Sequence, residues 1–115
     1  MHELSLAQNI IDTVRDHVRE ENLTRVTVVR MEVGAVSGVV ADSLQFAFGA
    51  IIQDTPLRNA VLESVIIPFK VHCNECGTES GNDSGYMTCG ICDSTDVKIL
   101  SGTDMILKQI ELNDE

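Results

Sequence analysis

From residue 4 to residue 20, apolar side chains recur at Leu4, Ala7, Ile11, Val14 and Val18, with Ile10 beside them. That three-and-four spacing predicts a helix with one buried stripe. Asp12, Arg15, Asp16, Arg19 and Glu20 fall mostly on the wet side, and Glu21-Asn22 reads as a stop. The stripe starts almost at Met1, so the beginning of the chain is expected to lie against the fold. Thr24 to Val33 is rich in β-branched residues and predicts a strand. Its Thr27, Val29, Met31 and Val33 face is assigned to the core, against Val26, Val28, Arg30 and Glu32. Gly34 to Val40 is a loop, without the spaced glycines and Lys-Ser/Thr ending of a phosphate-binding loop. Asp42-Ser43-Leu44-Gln45 has the form of a capping box. It would open a second helix with its stripe at Leu44, Ala47, Phe48, Ile51 and Ile52, ending near Thr55-Pro56.

Asn59 to Val71 predicts a second strand, with Leu62, Ser64 and Ile66 opposed to Val61, Glu63, Val65 and Ile67. Pro68 marks an edge position or a bend. Val97 to Leu100 is a short strand, Ser101-Gly102 a joint, and Met105 to Leu112 a final strand rejoining the first sheet. The expected class is α+β: a small three-stranded mixed sheet with two helices on it, and a zinc ribbon inserted between two of its strands. In domains, that is 1–69 with 104–115, and 70–103. If the strands flanking residues 41–55 are parallel, the crossover should be right-handed. With 115 residues, one compact domain and a small appendage are the default. Aromatic residues make up 3% and tryptophan is absent, so the core has to be aliphatic.

The inserted stretch holds all four cysteines, as Cys73-Asn-Glu-Cys76 and Cys89-Gly-Ile-Cys92. Thiolates at i and i+3 face one point across a tight turn, and Gly77 and Gly90 offer the freedom such turns need. Two such turns joined by a hairpin make a tetrahedral four-sulfur site, the donor set of structural Zn²⁺. Four protein ligands leave no open position, so the role is structural. Iron in a rubredoxin-like site suits the same donors. Two disulfides fit poorly with a chain that shows no secretory signal, and a thioredoxin-like motif uses one pair, not two. Metal binding would supply the folding energy of so small a piece, on the order of 10–16 kcal/mol. His72, next to Cys73, and His17, on the first helix, read as surface histidines.

Eighteen acidic residues stand against eight basic ones, a net charge of -10. Phosphate backbones repel such a chain, so nucleic-acid binding is disfavoured despite the ribbon. Cationic partners or metal ions suit it better, although solubility alone accounts for much acidity. No apolar run is long enough to span a membrane, and a cytoplasmic location is expected. No Ser/His/Asp or Cys/His nucleophile arrangement is visible, so the chain is not expected to be an enzyme.

The opening Met1-His2-Glu3 is the second metal-like feature. The α-amine, the His2 amide nitrogen and the His2 imidazole can close two fused chelate rings, and the Glu3 amide or carboxylate can fill a further position. Planar nitrogen sets favour Ni²⁺ or Cu²⁺ over zinc. His2 is too large to promote removal of Met1. The Met1-His2-Glu3-Leu4-Ser5-Leu6 start resembles that of the HypA/HybF family of nickel-insertion metallochaperones. So do the Arg25-Val26-Thr27 strand ending in Glu32-Val33-Gly34-Ala35, Ser43-Leu44-x-Phe46, and the two cysteine pairs. The resemblance covers essentially the whole chain.

It implies that His2 is the essential nickel ligand, with Met1 and Glu3 contributing amine and amide nitrogen, and that Cys73, Cys76, Cys89 and Cys92 hold a structural zinc. In some members a carboxylate at the place of Asp42 lies near the nickel, a role compatible with a helix cap. Some relatives have proline where Gly90 stands, a change that spares the ligands. The implied function is delivery of Ni²⁺ to the [NiFe]-hydrogenase large-subunit precursor, and in some members to urease. The implied partners are that precursor and a nickel-handling GTPase; monomer and homodimer both stay open. The rival readings are a zinc-ribbon interaction module without metal delivery, and a thiol redox protein or iron-site electron carrier.

Overall fold

The computed structural model describes residues 3–113. Helix α1 (Glu3–His17) leads through a 3₁₀ turn (Glu20–Arg25) into β1 (Val26–Gly34). Then come α2 (Ala41–Ile51), a short 3₁₀ turn (Ile52–Asp54) and β2 (Val61–Ile67). The remaining strands are β3 (Lys70–Cys73), β4 (Glu79–Gly81), β5 (Val97–Ser101) and β6 (Met105–Leu112). The contacts separate into two compact units, residues 3–31, 39–65 and 106–113 in one and 32–38 and 66–105 in the other.

In the first unit, α1 and α2 pack on each other. Helix α1 buries Leu6, Ala7, Ile10, Ile11 and Val14. Ala7, Ile10, Ile11 and Val14 are as expected, but at the start of the helix Leu4 is exposed and Leu6 is buried in its place. The helix also stops earlier, at His17, because the chain tightens into the 3₁₀ turn whose Leu23 is buried. Helix α2 buries Leu44, Ala47 and Phe48, followed by Ile52. Val29, Met31 and Val33 are buried on β1, as the apolar face predicts, and Val26 joins them at the strand's start. Each such aliphatic side chain contributes about 1.5–3 kcal/mol of transfer free energy.

The strands run in the order β2-β1-β6. Arg30 pairs with Glu63 at 3.0 Å and the Ala35 N–H donates to the Ile67 carbonyl, so β1 and β2 are parallel. Asn113 N–H donates to Arg25 O and Gly34 N–H to Asp104 O, so β6 runs antiparallel to β1. The sheet is mixed, as expected. Arg30, alternating with the buried Val29 and Met31, reaches Glu63, Gln109 and Glu111 and so links all three strands.

Two details differ from the sequence pattern. The cap position of α2 is Val40, and no side chain caps it; Asp42 sits inside the first turn, so the capping box does not form. The expected strand from Asn59 to Val71 is two strands, β2 and β3, split at Pro68-Phe69. Proline has no N–H to give a ladder, and there the chain passes from one sheet to the other.

In the second unit, β3 is the centre of an antiparallel sheet in the order β4-β3-β5. Val71 opposes Ser80 on one side and Ile99 on the other, with a register shift at Lys70. Gly102, at φ 99°, passes so close to Phe69 that any Cβ there would collide with its backbone. Among the described residues no helix is long and apolar enough to cross a membrane.

Candidate metal centre

The end of β3 and the loop before β5 present two turns built on one plan. In the first, the Cys73 N–H donates to Thr78 O and the Gly77 N–H to Cys73 O. In the second, the Cys89 N–H donates to Ser94 O and the Asp93 N–H to Cys89 O. The first sulfur of each pair also accepts from the backbone of the second cysteine, at 3.4 Å in both turns. Gly77 holds φ 74°, as expected of a glycine here, but the matching residue of the second turn is Asp93 at φ 64°. Gly90 serves differently: its N–H donates to Ser80 Oγ at 3.0 Å, and a Cβ there would press on Ser80 at 3.4 Å.

The two turns bring all four sulfurs within 4.8 Å of one another. Cys73 and Cys92 stand 3.6 Å apart, as do Cys76 and Cys89. A tetrahedral ion at about 2.3 Å from each sulfur needs edges of about 3.8 Å, so the cluster fits structural zinc. Cys73 and Cys89 are buried, Cys76 and Cys92 exposed. The backbone N–H groups of Cys92 and Ile91 bring the Cys89 thiol down to about 6. The Thr78 hydroxyl, 2.9 Å from Cys76 Sγ, draws the Cys76 thiol down as well. At Cys92 the Ser94 backbone favours the thiolate, but the sulfur of Cys73, burial and the other two sulfurs outweigh it, and the thiol stands at about 12. Only a cation among them would let all four sulfurs ionise at this spacing. Thr78 and Ser80 were missed in the sequence, where nothing in the cysteine spacing marks a hydroxyl two residues past one pair or nine before the other.

The other expected site begins at Met1 and His2, which lie outside the described residues. Glu3 opens α1, and Asp42 lies in the first turn of α2. The two line one cleft of about 500 Å³ with Leu4, Ser43, Phe46 and Ala47. Phe46 is 80% exposed there.

The family described as "Hydrogenase/urease nickel incorporation, metallochaperone, hypA" matches residues 1–112. The chain belongs to the HypA family. The hydrogenase maturation factor HypA of Aquifex aeolicus (strain VF5) is 38% identical over 112 residues, covering 97% of both chains. That of Prosthecochloris aestuarii is 33% identical, covering 97% of this chain and 99% of its own. The solution structure of the Ni metallochaperone HypA from Helicobacter pylori matches with a TM-score of 0.68 at 23% identity, over the full length of both chains. A second HypA solution structure matches at 0.72 and 24%, covering all of this chain and 98% of that one. The fold derived from the strands and helices is thus the HypA fold, and the chain is a nickel-incorporation metallochaperone by family.

Proposed function

We propose that the chain takes up Ni²⁺ at its N-terminus and delivers it to the [NiFe]-hydrogenase large-subunit precursor, with the family's nickel-handling GTPase as second partner. It works as a cytoplasmic carrier and catalyses no reaction. In this reading His2 is the indispensable ligand, Met1 and Glu3 add nitrogen donors, and Asp42 supplies a nearby carboxylate. Residues 1–69 with 104–115 carry the nickel function, and residues 70–103 are the zinc-braced ribbon, with Cys73, Cys76, Cys89 and Cys92 as the zinc ligands.

The observation that supports this reading best is the cleft that Glu3 and Asp42 share. It brings a carboxylate from a second helix to the residue that follows His2 in the chain. Amine and amide donors must lose protons to bind, so nickel affinity should fall as pH falls. Few side chains hold the ion, which leaves it free to pass to a deeper site.

The test is a nickel titration of the zinc-loaded chain against His2→Ala and against the chain with its N-terminal amine acetylated. Both changes should weaken uptake by at least about tenfold, or 1.4 kcal/mol, and stop transfer to the precursor. Equal, weak binding in all three would leave a zinc-ribbon module without a delivery role.

A further inference from the structure

The second unit has a surface that neither the zinc cluster nor the nickel reading uses. A cleft of about 620 Å³ opens beside β4, with Ala35, Ile66 and Pro68 as apolar wall and Glu79 and Asp83 among its polar residues. From the cleft, Asn82 and Asp83 lead into a tight loop. The Asn82 Oδ1 accepts the backbone N–H groups of Ser84 and Tyr86, and its Nδ2 donates to the Tyr86 carbonyl. Gly85, at φ 76°, lies over Val36, the neighbour of Ala35, so the loop sits next to the cleft wall. It ends by exposing Tyr86, and Met87 and Ile91 follow, with Tyr86 67% and Ile91 69% accessible. Apolar residues gathered this way beside a cleft mark an interaction surface rather than scattered exposure.

The charge around them is mostly negative, with Lys70 the one cation among the residues lining the cleft. Between Val71 and Val97 the chain has Glu75, Glu79, Asp83, Asp93 and Asp96, and neither lysine nor arginine. A dication held by four thiolates leaves further negative charge in the same unit.

We propose that this cleft and the Tyr86–Ile91 stretch beside it dock a positively charged segment of a partner protein, with an apolar side chain as anchor. A second copy of this chain would bring the same acidic surface and be repelled, as would nucleic acid or an anionic membrane. A segment bearing lysine or arginine is drawn in by the field, and the ring of Tyr86 offers a cation–π face. The proposal holds whether or not the N-terminus carries nickel.

The probes are two synthetic peptides of equal positive charge, one with leucine and phenylalanine between its arginines, the other with serine in their place. Each is titrated into the zinc-loaded, isotope-labelled full chain while amide resonances are followed. The apolar peptide should move resonances between residues 66 and 92 and bind about tenfold more tightly than the serine peptide. Tyr86→Ser with Met87→Ser should abolish that difference, and Asp83→Lys should weaken both peptides, with zinc content and melting temperature unchanged. Shifts spread over every acidic face, shifts centred on α1 and α2, an undiminished affinity in the double variant, or self-association through the Tyr86 stretch would each overturn the proposal.

Discussion

Gly77 and Asp93 do one backbone job with different side chains. Each follows the second cysteine of its pair, and each turns into the left-handed region so that its N–H can reach the carbonyl of the first cysteine, at 3.0 Å in both cases. Glycine does this without strain, and aspartate is among the few other residues that tolerate it. A β-branched residue does not. Asp93→Val should therefore cost about 1–2 kcal/mol, seen as a lower urea midpoint of the zinc-loaded protein. Asp93→Gly should leave the midpoint level or raise it. A valine variant as stable as the parent would mean that the second turn is not held in the conformation described.

At the scale of elements, the register of α1 decides which side chains matter. Ile11 is buried at 2% exposure, whereas Leu4 is 61% exposed. Ile11→Ala should cost about 2–5 kcal/mol, against less than about 0.5 kcal/mol for Leu4→Ala. Thermal or urea unfolding of the two variants checks this, and equal losses would restore the stripe read from the sequence. That stripe held at Ala7, Ile10, Ile11 and Val14 and missed at Leu4, because the three-and-four spacing allows neighbouring faces at a helix end and only the packing of α1 on α2 selects between them. Strand β6 was legible to its ends, since Met105 to Leu112 is bounded by Gly102 on one side and polar residues on the other. The break at Pro68 was legible as a bend but not as a change of sheet, which depends on partners distant in sequence. The capping box failed because the helix starts two residues earlier, with Val40 at the cap position and Ala41 as its first residue. The sulfur cluster could be read from spacing alone, because both halves of it are local turns. The cleft shared by Glu3 and Asp42 could not, since it exists only once two helices have packed.

For the whole molecule, the two units differ in what keeps them folded. The first has an aliphatic core supplied by both helices and β1. Among the described residues from 69 to 101, the buried apolar residues are Phe69, Val71, Cys73 and Cys89, two of which belong to the sulfur cluster. So little burial cannot offset the entropy of ordering some thirty residues at about 1–2 kcal/mol each. The metal has to make up the difference, and its affinity depends on deprotonated sulfur. The sign follows from Cys89, whose thiol is lowered to about 6 in the fold from an ordinary value near 9.0. A lowered group stabilises the fold fully above its unfolded value and loses that contribution as pH falls through about 6. Protons then compete with the ion for the same sulfurs. Chelation at neutral pH, or acid below that range, should abolish amide-exchange protection in β3 and β5 while α1 and α2 keep theirs. Adding zinc back at neutral pH should restore it. Should the β3 and β5 amides stay protected after the zinc has been removed, the ribbon would have to be held by contacts other than its metal.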